Sequence, residues 1–280
     1  MILPWVLFFT VLVTLSKKYY KPPMKRVEGK LVELPQDIQN YQYHDLVSIV
    51  YSVAIILMFT ANYYLYGLDL EREGTYLEKN IQILGMVWYT YDLILKYFDG
   101  VHKIFVWIHH PCTIIAIYAS YSCKETVAFG ATAVFINDAI HVFLVIYRTL
   151  ESINIKNFRY LVNFSFLVAG FVLSRVVGSH WLLYKGAMSS KIPFLVILGN
   201  TPIICFGTRI SIQLASKYWK YVPLFCSNPE TIRQTNLWQT IRGMFQSYKS
   251  GGTMSKVVDT AIFASSILIP VSINLYVRYA

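Results

Sequence analysis

Apolar residues along the chain gather into eight runs separated by polar connections. They extend roughly over Ile2–Leu15, Leu46–Tyr66, Ile81–Tyr97, Ile104–Ser122, Val127–Tyr147, Tyr160–Tyr184, Ile192–Ala215 and Val257–Val277. A helix that crosses a bilayer needs about 20 mostly apolar residues. The pattern therefore predicts an all-α, polytopic membrane helical bundle with about eight transmembrane helices. The first run is the shortest and weakest. It lacks a basic stretch before it and a small-residue cleavage site, while Lys17, Lys18, Lys21, Lys25 and Arg26 follow it, so it reads as a retained anchor rather than a signal peptide. Two connections are long. Residues 17–44 are basic and contain Pro22-Pro23, and residues 216–256 mix charges with Trp219, Trp238, Phe245 and Tyr248. Within the latter, Thr231–Tyr248 fits an amphipathic surface helix and equally an ordinary polar loop. The resulting organisation is an N-terminal anchor and basic loop over 1–40, a helical bundle over 41–220, a loop over 221–256 and a last transmembrane helix over 257–280.

Composition supports the membrane reading. Of 280 residues, 55% are hydrophobic and 14% charged, against about 25% charged in an average soluble domain. Disorder is excluded, since disordered chains are polar and poor in aromatics. A disulfide scaffold is excluded too: Cys112, Cys123, Cys205 and Cys226 form no CxxC pair and lie mostly in apolar runs. The net charge of +10 would suggest nucleic acid in a soluble protein. Here the basic residues lie between apolar runs, so they report topology and anionic headgroups, and no nucleic-acid partner is expected. Of the 25 Lys and Arg, 17 fall in the first, third, fifth and seventh connections and six in the remaining ones. The positive-inside rule places the first group in the cytosol and both termini on the luminal or exterior face.

Ionisable residues inside the runs are costly in hydrocarbon and mark candidate sites. They are Asp92, His109, His110, Asp138, His141, Arg175, His180 and Arg209. Counting at about 1.5 Å per residue, Asp92, His109, His110, Asp138, His141 and Arg209 fall into one layer about 10 Å below the cytosolic surface. Arg175 and His180 fall nearer the far side. The layer fits either a site open to the cytosol or a structural network, for example Asp92 or Asp138 paired with Arg209. Pro111 follows the histidine pair and is expected to kink its helix, freeing the carbonyl of Trp107. Asp138 and His141 are spaced i,i+3, share a helix face and are placed to hydrogen-bond, as a general base held by a carboxylate requires. Adjacent histidines point about 100° apart, and no HExxH-type spacing is present, so no metal is expected.

The residues also carry a family resemblance. Leu46-Val-Ser-Ile-Val-Tyr51, Tyr89-Thr-Tyr-Asp-Leu93, His109-His110-Pro-Cys-Thr113, Asn137-Asp138 followed by Phe143-Leu144, and Phe171-Val-Leu-Ser-Arg175 occur in order over about residues 41–220. In this series the chain resembles the TLC-domain membrane proteins, which include ceramide synthases, TRAM proteins and lipid-homeostasis proteins. The resemblance implies a helical bundle in the endoplasmic reticulum or a related membrane. In ceramide synthases the paired histidines and downstream acids serve acyl transfer from acyl-CoA to a sphingoid amine, and His109, His110 and Asp138 match that pattern. The second acidic position falls at His141 and the preceding histidine at Asn137, so the chain looks more like the non-synthase branch. Fatty-acid elongases offer a second, weaker resemblance through His109-His110 and Asn137-Asp-Ala-Ile-His141, with Val106 where the first histidine of their box would fall.

Three functions follow as expectations. One is a protein that binds or regulates acyl lipids without chemistry of its own. The second is an acyl-CoA-dependent acyltransferase, and the third an elongase-like condensing enzyme. The expected catalytic residues are His109, His110, Asp138 and His141, and the expected substrate-binding residues Asp92, Asn137, Arg175 and Arg209. Membrane lipids, sphingoid or other acyl species, are the expected partners. No cofactor is expected, acyl-CoA entering only as a co-substrate of the enzyme readings.

Overall fold

The computed structural model describes residues 2–27, 30–98, 104–225, 233, 235–251 and 253–279. Cys226, Lys103 and the first residues of the Thr231–Tyr248 stretch lie outside them. The chain is helical almost throughout: α1 (Ile2–Tyr19), α2 (Gln36–Tyr66), α3 (Tyr76–Phe98), α4 (Ile104–Tyr121), α5 (Val127–Asp138), α6 (His141–Ser152), α7 (Phe158–Phe171), α8 (Ser179–Ala187), α9 (Phe194–Tyr221), α10 (Asn236–Lys249), α11 (Thr253–Phe263) and α12 (Ile269–Tyr279). A short antiparallel ribbon pairs Lys25–Val27 with Lys30–Val32.

Among the described residues, six helical segments are long and apolar enough to cross a membrane: Ile2–Tyr19, Ile38–Tyr66, Lys124–Ser152, Phe158–Ala187, Phe194–Tyr221 and Ser255–Tyr279. The other two predicted spans are the helices α3 and α4. Glu78, Lys79, Asp92 and Lys96 interrupt the apolar sequence of α3, and His109 and His110 that of α4. Packing explains why both are tolerated. α3 lies against α1, α2, α4 and α5, and α4 against α3, α5 and α9, so much of their polar surface faces protein rather than lipid.

The helix ends sort into two faces. At one face Tyr20 meets Tyr43, Gln42 donates to Ser152, Asp45 pairs with Arg148 and Lys217 with Glu151. At the other, Arg72 clamps Glu78, Asn62 donates to Glu78, and Arg278 donates to the carbonyl of Ile192. Thr75 and Glu78 form a capping box there: Thr75 Oγ1 accepts from the Glu78 N–H and Glu78 accepts from the Thr75 N–H. The first face gathers the basic connections and is called the basic end below.

Three differences from the sequence reading matter. α2 starts at Gln36, directly after Pro35, so His44 and Asp45 are helical rather than part of a loop. The fifth run is broken at Ala139–Ile140 between α5 and α6, and α6 continues to Ser152. Asp138 therefore lies 14 residues from the end of α6, about 21 Å deep, twice the expected depth. The sixth run contains a π-helical stretch, Val172–Gly178, carrying Arg175. In the 216–256 connection, α10 settles the choice between helix and loop for Asn236–Lys249.

Candidate functional site

A cavity of about 220 Å³ opens at the basic end among α2, α3, α4, α6, the π stretch and α9. Exposed Arg148 and partly buried Lys96 mark its mouth, with Asp45 beside Arg148 at 3.0 Å. Tyr20 lies close by; partial burial raises the pKa of its hydroxyl, and Asp45 and Tyr43 add to the shift. Helical spacing brings the polar residues to one place. Tyr89, Asp92 and Lys96 share a face of α3, His44, Ser48 and Tyr51 a face of α2, and His141, Leu144, Val145 and Arg148 a face of α6. The remaining walls are apolar, from Trp88, Val106, Phe171, Ile203, Ile210 and Leu214.

Asp92 is the hub of the outer part. It is buried and accepts from Lys96 and from His110 Nε2, the latter at 2.9 Å, while His44 Nδ1 lies 3.8 Å away. His110 Nδ1 faces the carbonyl of Val106 at 3.0 Å. Both of its nitrogens thus face oxygen acceptors, and neither is turned toward the cavity to take a proton from a substrate. His109 also lines the cavity and packs edge-on against Tyr89 and His110.

The inner part centres on Arg175. Its guanidinium donates to the side-chain oxygen and to the main-chain carbonyl of Asn137, and His141 Nε2 lies 3.5 Å from Nη2. Arg175 Nε is buried without a hydrogen-bond partner. Among the described residues no carboxylate forms an ion pair with this guanidinium. It is 5% exposed and lines the cavity, next to Phe171, Ile203 and His141. Gly207 of α9 makes room for it: a Cβ there would lie 3.2 Å from Arg175 Cδ.

Asp138 sits behind this wall. It is 0% exposed, does not line the cavity, and accepts from Tyr51 and Tyr89, each at 2.6 Å. Its nearest approach to His141 is 3.9 Å from Oδ1 to Nδ1, beyond a hydrogen bond. The expected Asp138–His141 bond is absent: each Asp138 oxygen accepts from a tyrosine hydroxyl, and the helix is irregular at Ala139–Ile140 between the two residues.

Of the sequence candidates, the structure brings together Asp92, His109, His110, Asn137, His141 and Arg175, with Asp138 as their buried support. Arg175 was expected nearer the far side, but its long side chain reaches Asn137 from the π stretch. Arg209 does not join. It is exposed and points away from the cavity, whereas Gly207 and Ile210 of the same helix line it. Two residues on a helix turn the side chain by about 200°, so equal depth does not mean equal facing. His180 is elsewhere, with Nε2 3.1 Å from Ser266 Oγ. Sequence reasoning missed His44, Tyr51, Tyr89, Lys96 and Arg148. For Tyr89, Lys96 and Arg148 the signal was helical spacing from Asp92 and His141, whereas His44 and Tyr51 lie on α2, which held no sequence candidate. Among the described residues no group of three or more His, Cys, Asp or Glu could hold a metal ion.

This fold and site define an integral membrane protein whose lengthwise helices enclose a polar-ended cavity. The TLC domain model of the TRAM, LAG1 and CLN8 proteins matches residues 35–222, and the chain belongs to this lipid-related family. The match spans α2 to α9 and every residue lining the cavity. Comparison with curated proteins and with solved structures returns no match.

Proposed function

We propose that the protein binds a long-chain acyl lipid with an anionic headgroup, as part of membrane lipid homeostasis, at the cavity above Asn137. The observation that carries this reading is the buried Arg175 guanidinium. Its hydrogen-bond partners are the neutral oxygens of Asn137, and it lines the inner part of a space that mixes apolar walls with a charged mouth. A carboxylate or phosphate supplies the missing charge and acceptors, and charge-assisted hydrogen bonds of this kind are the strong ones. At about 220 Å³ the cavity is smaller than the roughly 300–1,000 Å³ of sites that enclose a whole small molecule. It therefore takes the headgroup and the start of a chain, and the rest of the chain runs out between helices. The positive-inside rule makes the basic end cytosolic, so the lipid enters from the cytosolic leaflet and both termini are luminal. The endoplasmic reticulum or a related endomembrane is the proposed location.

Acyl transfer from acyl-CoA is the second reading, supported by the imidazoles in the cavity. Its base is His109 or His141, because both nitrogens of His110 are engaged. Purification in mild detergent followed by mass spectrometry of the extracted lipid tests the first reading. Enrichment of anionic acyl lipids over the surrounding membrane is the expected result, and enrichment of zwitterionic lipids alone overturns it. Product formed from acyl-CoA and an amine or hydroxyl acceptor, lost in His109→Ala or His141→Ala, moves the protein to the second reading.

A further inference from the structure

A second cavity, of about 610 Å³, lies outside the site just described, between the end of α9 and α10. Ser216, Trp219 and Lys220 line it from α9, and Trp238, Arg242 and Phe245 from α10, with Arg233 beside them. Its charged lining residues are Lys220, Arg233 and Arg242, so all are cations. Trp219 and Trp238 stack with centroids 4.7 Å apart at 17°, which fixes the floor. Trp219 Nε1 is itself buried and has no hydrogen-bond partner. Thr235 caps α10 by accepting from the Trp238 N–H. The outer face of α10 exposes Leu237 and Met244, side chains that a headgroup layer covers better than water does. Tryptophan at helix ends with Lys and Arg close by is the arrangement of a membrane–water interface.

We propose that this pocket is a separate, interfacial seat for the phosphate-bearing headgroup of an anionic phospholipid from the leaflet at the basic end. Lys220 and Arg242 neutralise the phosphate, the stacked Trp219 and Trp238 form the floor beneath it, and Leu237 and Met244 rest among the upper acyl carbons. The seat does not depend on what occupies the cavity at Arg175, since it shares with that cavity only the backbone of α9.

The test uses the full chain in liposomes of equal parts phosphatidylcholine and phosphatidylserine, extracted gently and weighed by native mass spectrometry. The Lys220→Glu/Arg242→Glu protein should retain about tenfold less phosphatidylserine than the unaltered protein, since each basic residue near the surface attracts anionic lipid appreciably. Lys124→Glu, a charge reversal at the opposite end, should change nothing. The same loss is expected in an Arg175→Gln background, which keeps the two seats apart. If the double reversal fails to elute as a folded species, Lys220→Gln/Arg242→Gln carries the comparison with a smaller loss. Unchanged phosphatidylserine retention in whichever double variant folds overturns the proposal. So does displacement of the lipid by soluble glycerophosphoserine at matched concentration, which would make the pocket a seat for soluble phosphates.

Discussion

Arg175 reaches from the π-helical stretch to donate to both the side-chain and main-chain oxygens of Asn137, at the end of α5. This pairing orients the guanidinium, and Asp138 acts on its charge through space rather than as a hydrogen-bonded partner. An ion pair would have cancelled the charge that a lipid headgroup can use. A π bulge adds one residue to the turn and re-aims the side chains around it, a device frequent at functional sites.

Asp92 carries the charge balance of the cavity mouth. Asp92→Asn leaves Lys96 and His110 facing each other without the carboxylate between them. Breaking a buried pair by removing one partner costs roughly 3–5 kcal/mol, and the partial exposure of Lys96 places the expected loss at the lower end. His110→Ala keeps the Asp92–Lys96 pair and should cost less. Thermal unfolding in one detergent compares the two; equal melting temperatures would deny Asp92 this role.

Gly130 tests the packing away from the site. A Cβ there would lie 2.0 Å from Ser120 Oγ and 2.3 Å from Gln82 Nε2. Those atoms belong to a buried network in which Gln82 donates to Ser120 and to the carbonyl of Val127. Gly130→Ala should therefore destabilise by about 2–3 kcal/mol through overpacking, read as a lower melting temperature with the lipid content of folded protein unchanged.

Tyr51 and Tyr89 together satisfy Asp138. Tyr51→Phe or Tyr89→Phe removes one donor from a buried carboxylate, at an expected cost of about 1–3 kcal/mol. The double variant should cost more than the sum, because its carboxylate keeps no hydroxyl donor. A double-mutant cycle on unfolding midpoints measures this; strict additivity would mean that other groups solvate Asp138.

The topology also has a direct check. Single cysteines at Ser250 and at Lys191, in a chain lacking its native cysteines, should label from opposite sides of sealed membranes, Ser250 from the cytosol. Labelling of both from one side would break the alternation of the helices.

Much of the fold was legible because each long apolar run must become a helix in lipid. The site was legible where a charged residue interrupted such a run, as at Asp92, His109, His110, His141 and Arg175. Depth along a run says nothing about the direction a side chain faces, and so Arg209 was misplaced. His44, Lys96 and Arg148 were hidden because they sit at run ends, where charge reads as loop. Tyr51 and Tyr89 were hidden because tyrosine in an apolar run reads as core. The break at Ala139–Ile140 carries neither Gly nor Pro, so nothing local announced it, and the Asp138–His141 pairing expected from unbroken helix failed there.

An anionic headgroup seated on Arg175 is checked by quantifying lipid co-purified with the unaltered protein, Arg175→Lys and Arg175→Gln from the same membranes, each confirmed monodisperse. The expected result is enrichment of anionic acyl lipid in the unaltered protein, partial enrichment with Lys, which keeps the charge but not the fork, and none above the membrane background with Gln. Equal enrichment in all three proteins would mean that Arg175 does not hold the headgroup.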